Sequence, residues 1–138
     1  MAINLFGGGE SEVPQFIRTG KVTSVNPQNC TVRVTFEDRD ESVSPDLQVV
    51  MKNTLNKKYY WMPEVDEIAL CLFLPNGEET GYVIGTVYSD VDKPVPEIAD
   101  EGKERVGIWI DQNNFIKWVE EERRFVVQTE NPVLFEVR

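Results

Sequence analysis

Ile68-Ala69-Leu70-Cys71-Leu72-Phe73-Leu74 is apolar on both of its alternating faces. After Pro75-Asn76-Gly77-Glu78-Glu79-Thr80 comes Gly81-Tyr82-Val83-Ile84-Gly85-Thr86-Val87-Tyr88. The two segments read as a β-hairpin whose loop is longer than the tight two-residue kind. A strand that is apolar on both sides is expected to be covered on both, by a barrel core within and by something else without. Asn76-Gly77 and Gly81 fall where such a hairpin reverses, and Gly85 is expected to mark a bend or close packing inside a barrel strand.

Working back from this hairpin, the pattern is one of short β-type segments between turn residues. Residues 17–25 form the first, and Asn26-Pro27-Gln28-Asn29 is a turn signal. Thr31-Val32-Arg33-Val34-Thr35-Phe36 alternates strictly, with Val32, Val34 and Phe36 on one face. A charged loop, 37–41, precedes a shorter strand candidate at 47–51, and 53–58 is polar. Five strands within about 75 residues, without an amphipathic helix, predict a small closed barrel of the OB-fold kind over residues 16–88. Trp61 and Pro63 precede the most buried strand, as a barrel plug or as an interface anchor. Residues 1–15 read as a flexible arm, because Gly7, Gly8 and Gly9 carry a high ordering cost.

Working forward, Lys93-Pro94-Val95-Pro96 and the acidic residues after it read as a linker over 89–104. The period of two then returns over 105–138. Val106, Ile108 and Ile110 share a face, as do Phe115 and Val119, Phe125 and Val127, and Val133, Phe135 and Val137. Three or four short strands make one small sheet, and one sheet cannot bury an apolar face against itself. Other copies of the chain are the expected second layer. The fold class is therefore all-β, an OB-fold-like five-stranded barrel followed by a short segment forming a trimeric β-prism or β-helix. Ile108, Ile110, Phe115, Val119, Phe125, Val127, Val133, Phe135 and Val137 are the candidate trimer contacts.

Composition narrows the function. The 138 residues carry 24 acids and 14 bases, a net charge of −10. Such a surface repels polyanions, so neither nucleic acid nor an anionic membrane is the expected partner. There is no histidine, which removes Ser-His-Asp chemistry, and with only Cys30 and Cys71 it makes a tetrahedral zinc site improbable. Both cysteines lie beside or within apolar segments and are expected as small core thiols, with a disulfide as the alternative. Gly7-Gly8-Gly9 has no following Lys-Ser/Thr and cradles no phosphate. The acidic groups Glu64, Asp66, Glu67 and Asp38, Asp40, Glu41 read as solvated loops, the second without the spacing of a calcium loop. No catalytic residue, metal or cofactor is expected. The longest apolar run, seven residues, is far short of the roughly 20 of a membrane helix, and the start of the chain lacks a basic leader. A protein made in a cytoplasm is the expectation. Lys57-Lys58-Tyr59-Tyr60-Trp61 supports the alternative function, an OB-fold module for single-stranded nucleic acid or oligosaccharide.

Three segments carry a resemblance. The first is Ile17-Arg18-Thr19-Gly20-Lys21-Val22-Thr23-Ser24-Val25, with Val32-Arg33-Val34-Thr35-Phe36 after it. The second is Tyr60-Trp61-Met62-Pro63-Glu64-Val65-Asp66-Glu67-Ile68, and the third is Glu79-Thr80-Gly81-Tyr82-Val83-Ile84-Gly85-Thr86-Val87-Tyr88. In order and spacing they resemble the baseplate assembly protein V family of contractile phage tails, itself similar to the spikes of type VI secretion and R-type bacteriocins. The resemblance covers about 80 of the 138 residues. It implies a homotrimeric central spike, bound to baseplate hub and tail-tube proteins and carried on an extracellular phage tail or tail-like particle. It also implies transient contact with the envelope of a target cell. Asp66 stands where the family more often has glycine. Some relatives end in a His-x-His tip that binds iron, which this chain cannot form, so its tip is metal-free or supplied by a separate cap protein.

Overall fold

The structure is a computed structural model, and it describes residues 16–37, 41–75 and 80–138. The arm at 1–15, Asp38 and Asp40, and the hairpin tip at 76–79 lie outside the described residues. The chain divides into two compact units, Met1–Ser89 and Asp90–Arg138.

The first unit is a closed five-stranded barrel. Its strands are β1 (Ile17–Asn26), β2 (Thr31–Phe36), β4 (Leu47–Val49), β5 (Ile68–Phe73) and β6 (Gly81–Val87), and a two-residue β3 (Ser42–Val43) adds to the edge of β2. The order runs β1-β5-β6-β4-β2, and β2 pairs back to β1 to close the ring. All the barrel pairings are antiparallel except β4 with β6, which is parallel. Counting the five barrel strands along the chain, the order around the ring is 1-2-3-5-4-1, the connectivity of an OB-like barrel. Closure removes the exposed edges that an open sheet of this size would present. Shifts in register at Val22/Ser24 and Leu70/Cys71 supply the local bends that a small barrel needs.

The period of two read from the sequence is the pleat of these strands. Val22, Val32, Val34, Phe36, Leu47, Ala69, Cys71 and Val83 point inward as one core. Cys71 is fully buried, and burial pushes its thiol up to about 11 although Arg18 draws it down. Cys30 is only half-buried. It sits in a left-handed turn conformation, φ 55°, with its N–H donating to the Pro27 carbonyl. Gly20 has a steric reason. A Cβ there would lie 2.9 Å from the Phe36 ring, on whose face the Arg18 guanidinium also rests at 3.7 Å.

One expectation for the barrel changes. Trp61 is not a plug: it is 58% exposed, while Met62 packs against the core and Pro63 is buried. The outer face of β5 is not fully covered within the chain, because Leu72 is exposed and Ile68 and Leu70 are half-buried.

At Asp66 the backbone adopts φ 81°, the left-handed region that glycine occupies freely. The turn is held by Glu67 N–H donating to the Glu64 carbonyl and by Asp66 N–H donating to the Val22 carbonyl. The Lys21 ammonium 3.7 Å from the carboxylate is exposed and offsets little of that strain. Asp66→Gly is expected to be more stable than Asp66→Ala by about 1 kcal/mol. Both substitutions lose the same ion pair, so thermal melting of the two isolates the backbone term. Equal melting temperatures would show that the turn is not left-handed.

The second unit begins with a short helix inside the segment expected to be linker. This α1 (Pro96–Ala99) starts with proline at its first position and is stopped by Gly102 at φ 66°. A three-stranded antiparallel sheet follows, β7 (Arg105–Trp109), β8 (Phe115–Val119) and β9 (Arg124–Gln128). The expected strand around Val133, Phe135 and Val137 does not form: residues 132–138 pair with no strand among the described residues. With β9 as the last strand, the remaining alternating residues have no ladder partner among the described residues.

Candidate assembly interface

The two turns of the small sheet decide which side chains share a face. Between β7 and β8 the Asp111 carboxylate accepts from the Asn113 backbone N–H and from the Asn114 side-chain amide at 2.8–3.0 Å. These bonds hold the Asp111 carboxyl below its usual range, and they fix a local Asx-type turn. Between β8 and β9, Arg123 takes φ 54° and its N–H donates to the Glu120 carbonyl. Each turn sets one register. The resulting partners are Val106, Trp118 and Phe125 in one row and Ile108, Ile116 and Val127 in the next.

Residues directly opposite in an antiparallel ladder share a face. One face of the sheet is therefore wholly apolar: Val106, Ile108, Ile116, Trp118, Phe125 and Val127. Trp118 and Phe125 meet edge to face at 4.9 Å. Apart from Trp118, all of them are more than half exposed, and Ile110, just beyond β7, continues the same alternation. Such a contiguous exposed apolar face is what interaction surfaces carry and monomer surfaces avoid.

The opposite face is partly covered from within the unit. Glu97 on α1 accepts from Lys117 Nζ at 2.8 Å and from Arg105 Nε at 3.1 Å. Arg105, whose side chain is 4% exposed, also makes a two-pronged contact with Glu121 at 2.9–3.0 Å. Val119 is buried on this side, where Trp109 and Phe115 stack at 6.3 Å. Part of this face is covered by its own helix, although Arg124 and Gln128 on it stay exposed. On the apolar face Trp118 Nε1 donates to Glu120 Oε2 at 2.6 Å with the Arg123 guanidinium 5.5 Å from its ring, and the rest of that face is open.

This arrangement sorts the nine candidate contacts. Ile108, Phe125 and Val127 lie on the open face, with Ile110 at its margin. Phe115 and Val119 lie on the opposite, helix-covered face, which corrects their grouping with the others. Val133, Phe135 and Val137 are exposed but belong to no strand. Ile116 and Trp118 belong to the open face and were not among the candidates. Their signal is loop length. Five residues separate Trp109 from Phe115, which keeps odd and even positions in phase, while four separate Val119 from Arg124, which exchanges them.

The ion cluster gives this unit an acid-sensitive joint. The hydrogen bond from Lys117, and after it that from Arg105, hold the Glu97 carboxyl below its ordinary 4.5 despite partial burial. A group with a depressed folded pKa contributes stability above its unfolded value and loses it as pH falls through the folded one. The sheet unit is thus expected to weaken as pH drops below about 4.5, and Glu97→Gln to flatten part of that dependence. Melting temperatures of both proteins between pH 3 and pH 7 check this (about four units spanning the carboxylate range). Parallel curves would remove Glu97 from the account.

Among the described residues no group of three or more acidic, cysteine or histidine side chains could hold a metal ion. Compared with known proteins, the sequence matches no family model and no curated protein.

Proposed function

We propose that this chain is the central spike subunit of a contractile injection machine, such as a phage tail or a bacteriocin, and that it works as a homotrimer. The observation that carries the reading is the pairing of an OB-like barrel with a small sheet whose apolar face is largely open. Three copies turning those faces to a common axis bury them together, which is the β-prism arrangement. The ordered resemblance of residues 17–96 to baseplate spike proteins supports the same reading.

On this account the protein supplies stiffness and a binding surface rather than chemistry. The barrel ring has no free edge to peel open, and the axial core is dry. Sheath contraction supplies the work, the trimer transmits it to the target envelope, and hub and tube proteins hold the trimer in the particle. The tip is metal-free or supplied by a separate cap protein. Location is the test. Antibody raised against residues 105–138 and applied to tail-like particles from producing cells is expected to label the distal end of the tube. Labelling confined to the sheath, or absent from purified particles, would overturn the reading.

A further inference from the structure

The free edge of β9 and residues 133–138 are complementary to each other. Among the described residues β9 pairs with β8 alone, so its other side offers unpaired backbone N–H and C=O groups to an added strand. Val133-Leu134-Phe135-Glu136-Val137-Arg138 alternates like a strand and pairs with none among the described residues. Phe135 is 88% exposed and Val137 is 98% exposed.

One antiparallel register matches segment to edge. It sets Val133 opposite Val127 and Phe135 opposite Phe125, on the open apolar face. On the other face it sets Leu134 opposite Val126 and Glu136 opposite Arg124, and Arg138 falls beside Glu122. Apolar pairs and opposite charges facing each other across strands are both stabilising. A slip of two residues sets Arg138 against Arg124 in one direction and Leu134 against Arg124 in the other. A slip of one turns every apolar side chain to the wrong face. The edge of β7 suits the segment less well: with Phe135 opposite Ile108 or Val106, Arg138 meets Arg105 or Lys103. Within its own chain the segment is led away from this edge. Glu130 N–H donates to Asn114 Oδ1 at 2.9 Å and Thr129 Oγ1 donates to the Asn131 carbonyl at 2.6 Å, which holds 129–131 against the β7–β8 turn. Pro132, opposite Gln128 in that register, has no N–H with which to begin a ladder.

We infer that residues 133–138 of one copy form the fourth strand on the β9 edge of a neighbouring copy. The inference rests on the homotrimer reading and deepens it, because it adds an exchanged strand to the facing sheets. Backbone hydrogen bonds along the edge hold the strand, and its alternate side chains select the partner. Every copy carries one such segment and one such edge. Segment and edge are different surfaces, so the contact is head-to-tail, and three copies close a ring that leaves neither unpaired. The added strand also carries Val133 and Phe135 onto the apolar face that the copies turn to their common axis.

Disulfide trapping in the full-length chain tests this. Val126→Cys/Leu134→Cys places two thiols directly opposite in the matched register and leaves the charge pairs and the apolar face intact. Val126→Cys/Glu136→Cys places them on a diagonal of about 7–8 Å, too far to bridge. The wild type, which has Cys30 and Cys71, and the two single variants give the background. Circular dichroism of the reduced proteins checks that each is folded. After mild oxidation, the matched pair is expected to run as a covalent trimer on a non-reducing denaturing gel, and the diagonal pair is expected to stay at background. A disulfide closed within one chain would give the strand to its own sheet and overturn the inference, as would a ladder that stops at the dimer. Light scattering of the wild type separates the remaining cases. The mass of three copies without an interchain bridge in the matched pair would overturn the exchanged strand and leave the spike reading standing. The mass of one copy at every concentration would overturn both.

Discussion

Ile116→Asp is expected to convert the assembled protein to folded monomers. Ile116 lies on the middle strand, flanked by Ile108 and Val127 on the open apolar face. In a trimer built on that face, three carboxylates would meet near one axis. Each would lose its water without gaining a partner, and each would repel the other two. A loss of at least ~4 kcal/mol, about a thousandfold in the assembly constant, is expected. Gln128→Asp adds the same charge on the opposite face, where Gln128 is exposed, and is expected to leave assembly unchanged. Light scattering and circular dichroism on both variants separate loss of assembly from loss of fold. Equal behaviour of the two would show that the open face is not the contact.

Leu47→Ala is expected to cost the barrel about 3 kcal/mol, a large share of the ~5–15 kcal/mol available to an ordinary domain. Leu47 is fully buried, and the strand it begins makes the one parallel pairing of the ring, with β6. Truncating it empties the core where β2, β4 and β6 meet. Leu55→Ala, at an exposed site, is expected to change stability by less than ~0.5 kcal/mol. Urea unfolding at one fixed protein concentration compares them, since the proposed assembly would make the midpoint concentration-dependent. A Leu47→Ala effect as small as that of Leu55→Ala would place the core elsewhere.

The barrel was legible because burial imposes a period of two that the side chains record directly. Val32, Val34 and Phe36 alternate in the sequence and all three are in the core. What stayed hidden depends on relations between segments. Phe115 and Val119 alternate as well as Ile116 and Trp118 do. Only the five-residue and four-residue connections decide which pair joins Ile108. Trp61 looked like a core residue because it is large and precedes a buried strand, but Met62 and Pro63 occupy that place. Alternation at Val133, Phe135 and Val137 expresses a preference for extended backbone, and a strand also needs a ladder partner, which none of the described residues provides there. Residues 96–99 were hidden by their prolines, which suit a linker and the first turn of a helix alike. The glycine-like turn at Asp66 could be anticipated only as a departure from the pattern of the resembling family.

The most direct measurement of the central claim is the solution mass of the full-length chain by light scattering at micromolar concentration. Three copies of a 15.8 kDa chain give about 47 kDa. That mass, persisting on dilution, is what an open apolar sheet face buried among three copies requires. A mass of 15.8 kDa at every concentration would mean that the face stays open in water, and it would contradict the trimeric spike.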